Sequence, residues 1–190
     1  GSGDNTVIIW DLSDGHPVAT LEGHTGGVHS IGFSPNGKYL VSGSSEILVW
    51  DVVTGQSITT LGGFYYISSV AFSPDGMHLA SAEGGGSLQS PGEITIWNLT
   101  GDQPFTPIRT LSGHIDSITS IAFSPDGTYL ASGSRDSTVI IWDVFSTQSV
   151  TTLNGLYSSS PDGSELAVVT ENNSIAILDM VSSQNVAIFK

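Results

Sequence analysis

Serine, histidine and aspartate, the residue types of a hydrolase triad, come at recognisable intervals ahead of the tryptophans of this chain. His114, Ser132 and Asp136 precede Trp142, His24 and Ser42 precede Trp50, and Asp4 precedes Trp10. Two kinds of chemistry compete for them. A nucleophilic site needs a serine exposed on a sharp turn, and no Gly-x-Ser-x-Gly stretch exists in the chain. It also need not recur, whereas a structural brace must, and the trio recurs in part. The brace is therefore the better reading, and no residue is assigned a catalytic role. The remaining histidines, His16, His29 and His78, show no repeating His-x-x-x-His or His-plus-carboxylate spacing, and there is no cysteine, so no metal is expected. Gly84-Gly85-Gly86 lacks the lysine and helix of a phosphate-binding loop, so no nucleotide or other cofactor is expected either.

These residues sit inside a repeat. Gly113–Asp143 reads GHIDSITSIAFSPDGTYLASGSRDSTVIIWD, and residues 23–51, 63–98 and 155–179 copy it with falling fidelity. Residues 1–11 match only its last third. The marker tryptophans Trp10, Trp50, Trp97 and Trp142 lie 40, 47 and 45 residues apart, and Leu178 takes the slot 36 residues later. A Gly-His opening, a Ser-Pro-Asp-Gly turn and a Trp-Asp close at this period form the signature of a four-stranded propeller blade. On these motifs the chain resembles the WD-repeat β-propeller family over nearly all of its length.

The resemblance implies a buried hydrogen-bonded tetrad, and His114, Ser132, Asp136 and Trp142 match its positions. The residue types suit it. The indole N–H only donates, serine accepts and donates, neutral imidazole does both, and the carboxylate only accepts. Asp4 and Trp10, and His24, Ser42 and Trp50, match partial tetrads. The short turn before Trp50 leaves Glu46, not an aspartate, near His24.

The elements that must position these groups can be read in order. The chain is one propeller segment of about four and a half blades of antiparallel strands, all-β and an incomplete, open ring. Residues 1–21 are a partial blade, with Thr6–Trp10 as third strand and Pro17–Leu21 as outer strand. Residues 22–61 form a whole blade with strands at Val28–Phe33, Lys38–Ser42, Ile47–Trp50 and Ser57–Leu61. Residues 62–111 form a deviant blade: its opening is Gly63-Phe64, its middle turn (83–92) is six residues longer, and its last connection (101–107) carries Pro104, Phe105 and Pro107. Residues 112–153 form the cleanest blade. Residues 154–190 form a degenerate one, expected to lack its inner strand and to keep three, at Leu166–Thr170, Ile175–Leu178 and Val186–Phe189. A blade that begins with its third strand suggests a segment of a longer propeller.

Composition limits the partners. The chain has 190 residues and a net charge of −14, with Lys38, Arg109, Arg135 and Lys190 as its permanent cations. Such a surface repels phosphate backbones and anionic lipid, so nucleic acid and membranes are poor partners. No run approaches 18 apolar residues and no basic-then-apolar leader is present, so an intracellular, cytoplasmic protein is expected. The sequons at Asn98 and Asn172 are read as chance.

Because strands alternate in direction, the opening loops and the middle turns share one face. There the deviant blade places Phe64, Tyr65 and Tyr66 beside the 83–92 loop with Leu88, and the next blade places Arg135. Exposed aromatics beside an adaptable loop make a candidate partner-binding surface. The resemblance implies a non-catalytic scaffold for protein partners within a larger protein or complex, with open blade edges that favour self-association. Near-identical copies also resemble the sensor end of large nucleotide-binding signalling proteins, although nothing here encodes an NTPase module. The competing class is an enzyme with its site in the propeller channel, hydrolase-like in chemistry. The inner strands Val28–Phe33, Ile67–Phe72 and Ile118–Phe123 offer that alternative no acid.

Overall fold

Turn chemistry decides where the strands break. At three Ser-Pro-Asx-Gly turns the serine hydroxyl is used twice: Ser73 Oγ donates to Asp75 Oδ1 and accepts the His78 amide at 2.9 Å. Ser34 and Ser124 do the same with Asn36 and Tyr39, and with Asp126 and Tyr129. The glycine closing each turn has positive φ, 68° at Gly37, 69° at Gly76 and 73° at Gly127, a conformation open to glycine without penalty. The aspartate or asparagine after the marker tryptophan caps the next turn: Asp51 accepts from Val53 and Thr54, Asn98 from Thr100, and Asp143 from Phe145 and Ser146.

A computed structural model describes residues 1–62, 66–84, 91–100, 104–160, 164–169, 175–180, 182 and 185–189. Strands β1 (Val7–Trp10) and β2 (Pro17–Leu21) form a two-stranded sheet. Four four-stranded antiparallel sheets follow. The first holds β3 (Ser30–Phe33), β4 (Tyr39–Gly43), β5 (Ile47–Asp51) and β6 (Ser57–Leu61). The second holds β7 (Tyr66–Phe72), β8 (His78–Gly84), β9 (Glu93–Asn98) and β10 (Thr106–Ser112). The third holds β11 (Ile118–Phe123), β12 (Tyr129–Ser134), β13 (Thr138–Asp143) and β14 (Ser149–Asn154). The fourth holds β15 (Leu156–Ser159), β16 (Glu165–Val169), β17 (Ile175–Asp179) and β18 (Asn185–Phe189). Each four-stranded sheet is a meander paired in chain order. Among the described residues no strand pairing joins the two-stranded sheet to the last one, and the array is an open propeller segment.

The fourth sheet corrects the sequence reading. Residues 154–190 were expected to lack an inner strand, but β15 pairs with β16 from Leu156↔Val169 to Ser159↔Leu166. What is deleted is the opening loop. Asn154 ends β14, and Gly155, at φ 136°, redirects the chain straight into β15 without the Gly-His segment. Smaller shifts occur in the second sheet, where β8 runs through Gly84, inside the expected loop, and β10 starts at Thr106.

The period of two along each strand sends alternate side chains into different cores. On β5, Leu48 and Trp50 pack with Val7 and Leu21 of the two-stranded sheet. Val49, between them, packs with Ile67, Leu79 and Trp97 of the following blade. Ile140 and Trp142 of β13 likewise meet Ala82, Ile94 and Leu111 of the blade before, while Val139 and Ile141 meet Val168, Leu178 and Met180 of the blade after. The tryptophan of each blade thus always faces its predecessor. Serines on inner strands add polar stitches: Ser30 Oγ accepts the Val70 amide at 3.0 Å, and Ser69 Oγ accepts the Ile121 amide at 3.3 Å.

The junction of the first and second whole blades depends on Gly43. A Cβ there would lie 2.6 Å from Ile67 Cγ2, across the junction of two blades. Gly43→Ala is therefore expected to lower stability by about 1–3 kcal/mol through overpacking, measured by chemical denaturation. An unchanged midpoint would show that this junction has slack.

Candidate functional site

In the third sheet the four predicted residues meet. Trp142 on β13 sends its indole N–H 2.7 Å to Ser132 Oγ on the neighbouring β12. Ser132 Oγ is 2.7 Å from His114 Nε2, and His114 Nδ1 is 2.9 Å from Asp136 Oδ2. An ionised carboxylate only accepts, so Nδ1 donates to it and Nε2 accepts from the serine. His114, Ser132 and Trp142 are all buried. The glycine of the Gly-His opening lies flat on the tryptophan: a Cβ on Gly113 would come 2.9 Å from Trp142 Cη2. Asp136 also accepts the Ile115 amide at 3.0 Å and the Thr138 amide at 2.8 Å. Burial pushes its carboxyl up, but hydrogen bonds from the Thr138 hydroxyl, the Ile115 amide and the His114 ring hold it below its ordinary range. Ser132 Oγ is fully enclosed and engaged on both sides, so it presents no free nucleophile. What the network does is tie the opening loop to the β12–β13 turn.

The first whole blade closes the same circuit with a different acid. Trp50 donates to Ser42 at 2.7 Å, His24 Nε2 lies 2.5 Å from Ser42 Oγ, and His24 Nδ1 lies 2.9 Å from Glu46 Oε1. The extra methylene of glutamate spans the gap left by the shorter turn, so Glu46 completes a set that is only partial when aspartate is sought. Burial opposes its ionisation, yet the Ser45 hydroxyl, the Thr25 amide, the His24 ring and the Thr25 hydroxyl together hold its carboxyl down to about 2.

Two further sets are fragments. In the second blade Trp97 donates to Ser81 at 2.8 Å, a pair missed in the sequence because the long middle turn separates its members by 16 residues. Aligning HLASAE on YLASGS would have found Ser81. In the two-stranded sheet Asp4 accepts the Thr6 amide and hydroxyl at 3.0 and 2.7 Å, as Asp136 does from Thr138. Trp10 is 53% exposed, and no hydrogen bond brings it to Asp4 among the described residues.

The candidate partner surface is only partly in view. Phe64, Tyr65 and Leu88 lie outside the described residues. Tyr66 begins β7, half exposed, with its ring 4.2 Å from that of His29 on the preceding blade. Arg135 is exposed on the β12–β13 turn, its amide bonded to Ser117 O at 2.9 Å. The structure brings these two to one pocket between the second and third blades. Tyr66, Ser68 and Gly84 line one side, and Ser117, Thr119 and Arg135 the other. Ser117 and Ser68 are contributors that the sequence did not suggest. Among the described residues, no cluster of three or more histidines and acids converges as a metal site would require.

A model of the WD domain, G-beta repeat, matches residues 15–51, 55–98 and 105–143, well over half of the chain. The chain belongs to the WD40 repeat family. Among its WD-repeat relatives is the mitochondrial division protein 1 of Pyricularia oryzae, 26% identical over 83% of this chain and 22% of the relative. The nuclear distribution protein PAC1 of Coccidioides posadasii is 32% identical over 75% of this chain and 33% of its own length. A chromatin assembly factor 1 component from Gallus gallus is 28% identical over 80% of this chain and 23% of its own length. This WD40 chain thus spans a third or less of the length of these relatives. No helix among its described residues is long and apolar enough to cross a membrane.

The WD40 brace gives two expected outcomes. Asp136→Ala removes the carboxylate that the His114 ring, the Ile115 and Thr138 amides and the Thr138 hydroxyl all donate to, so stability should fall by about 1–3 kcal/mol; an unchanged melting temperature would sink the network. For Glu46 the folded carboxyl binds its proton less readily than the unfolded one. Its contribution is therefore fully present above its ordinary value of 4.5 and is lost as pH falls toward about 2. Glu46→Gln should flatten stability against pH across that window, measured by urea denaturation at pH 6 and pH 3. Parallel curves for both proteins would show that the carboxylate is not held as described.

Proposed function

We propose that the chain is a non-catalytic scaffold that presents the face of its opening loops and middle turns to protein partners. The observation that carries this reading is the pocket between the second and third blades, where Tyr66 and Arg135 converge from different repeats. Aromatic and arginine side chains are the commonest anchors of protein interfaces. The pocket also sits where the deviant blade departs from the repeat: Gly84, which lines it, belongs to the 83–92 stretch, with Leu88, that lengthens that blade's middle turn in sequence. The proposed contact extends over Phe64 and Tyr65 as well. The relatives' names support a scaffold in general terms: they refer to division, distribution and assembly, and share no reaction.

The opposite end of the blades fits this role less well. There Phe105 is turned inward, its ring edge-on to Tyr39 at 5.9 Å, in the core between the first and second whole blades. Its place in packing is already filled.

The test is direct. With a partner captured from a lysate and purified, Tyr66→Ala should weaken binding about tenfold or more, as loss of an interface anchor does, with the melting temperature unchanged. If Tyr66→Ala binds normally and Pro107→Ala on the opposite face does not, the wrong face has been chosen.

Self-association is part of the same proposal. Ile8, Trp10 and Val18 are exposed on the outer face of the two-stranded sheet. Their counterparts Leu48 and Trp50, and Ile140 and Trp142, are covered by the preceding sheet. An uncovered apolar face of this kind drives association, so the isolated chain is expected to exceed monomer mass in light scattering unless further blades cover it. Trp10→Ser should reduce that mass. A compact monomer at high concentration would overturn the expectation.

A further inference from the structure

We propose that the pocket between the second and third blades takes a single anionic side chain, carboxylate or phosphoryl, borne on an otherwise neutral or basic peptide. This deepens the scaffold reading and rests on it.

The permanent cations differ in what engages them. Of the described ones, Arg109 donates Nη1 to Val144 O at 2.7 Å, and Lys38 lies over the Tyr39 ring with Nζ 4.9 Å from its centre. The Arg135 guanidinium, by contrast, has no hydrogen bond or ion pair among the described residues. Only its backbone is anchored, at both ends of a fixed turn: the Arg135 amide to Ser117 O, and the Asp136 amide to Ser134 Oγ at 3.1 Å. An unengaged guanidinium on a braced turn offers a planar fork of donors at low ordering cost.

The pocket adds matching groups. Ser68 and Thr119 have spent their hydroxyl protons on the carbonyls of Ala82 and Gly133. The Ser117 hydroxyl has no partner among the described residues, and so remains a donor facing the pocket. The Tyr66 ring forms an aromatic wall, held against His29. A guanidinium and a hydroxyl on one wall, opposite an aromatic ring, suit an acidic group with a short aliphatic stem.

The surrounding charge sharpens the choice. The chain carries −14 overall, and Asp116 and Asp136 immediately adjoin Ser117 and Arg135 in sequence. A polyanion would meet that field before it reached Arg135, and is disfavoured. One acidic group flanked by cations satisfies the fork and the field together. The same sign rule excludes an acidic tract, whose second charge would have no counterpart.

The test uses the whole chain and three probes: acetyl-Lys-Glu-Lys-amide, its glutamine analogue, and its phosphoserine analogue. The Glu or phosphoserine peptide should shift the backbone amide resonances of Ser117, Ile118 and Arg135 in a saturable way. The glutamine peptide should bind at least about tenfold more weakly, as should the acidic peptide to Arg135→Gln, a loss typical of a charge-assisted hydrogen bond. Ser117→Ala should weaken binding less. Affinity for phosphoserine that rises between pH 5 and 7, as its second proton leaves near pKa about 6, identifies a phosphoryl site; affinity flat over that range identifies a carboxylate site. Equal binding of the glutamine peptide, or undiminished binding by Arg135→Gln, overturns the inference. The scaffold reading has its own readout: a protein partner that needs Tyr66 but binds Arg135→Gln normally would leave the scaffold standing and remove the anion site.

Discussion

One hydrogen bond recurs wherever a blade keeps its tryptophan and its second strand: the indole N–H to a serine hydroxyl on the adjacent strand. It measures 2.7 Å at Trp50–Ser42, 2.8 Å at Trp97–Ser81 and 2.7 Å at Trp142–Ser132. An indole donor buried against another blade must find an acceptor, or the site loses about 1–3 kcal/mol. The serine meets that demand from the same sheet, leaving the ring face free to pack on the preceding blade. The interface between blades therefore rests on a polar contact inside one of them. At Trp10, which has no such partner among the described residues, the ring is half exposed.

Beyond the serine the circuit tolerates change. The third sheet uses His114 and Asp136; the first whole blade uses His24 and Glu46. The fourth dispenses with the tryptophan, placing Leu178 at the slot, where it is buried with Val168 and Met180. A tryptophan without its acceptor is costly, but a leucine in the same place asks for none. This explains why the tryptophan and the Gly-His opening disappear together in residues 154–190. Removing both ends of a hydrogen-bonded circuit is cheaper than removing one.

How much of this was legible in the sequence follows from the same physics. Strand order, blade junctions and the third-sheet tetrad could be read because they depend on residue type at fixed spacing. Ser81 was hidden by an insertion that changed the spacing without changing the contact. Glu46 was discounted because side-chain reach made up for backbone length, which a pattern of letters does not record. The inner strand β15 was missed because its loop, not its ladder, had been deleted, and a four-residue strand carries too little pattern to declare itself. Tyr66 and Arg135 could be placed on one face of neighbouring blades, but that residues 69 positions apart line a single pocket depends on how the blades pack.

The acidic charge of the chain is largely a product of its turns, and that bears on recognition. Asp51, Asp75, Asp126 and Asp143 accept amides of their own turns, and Asp4 and Asp11 do likewise. For Asp126 the Ser124 hydroxyl and the Thr128 amide, and for Asp143 the amides of Ser146 and Phe145, hold the carboxyl below its ordinary range despite opposing desolvation. Each blade thus adds negative charge as a condition of folding, and a scaffold of this kind repels anions unless a cation is placed deliberately. The brace makes such placement inexpensive. The residue just before the bracing acid differs between copies, being Gly3 before Asp4, Ser45 before Glu46 and Arg135 before Asp136; Ser45 turns back to donate to Glu46, whereas the Arg135 guanidinium makes no hydrogen bond among the described residues. In the third sheet the acid fixes the turn, and the neighbouring position displays the Arg135 side chain outside the buried circuit.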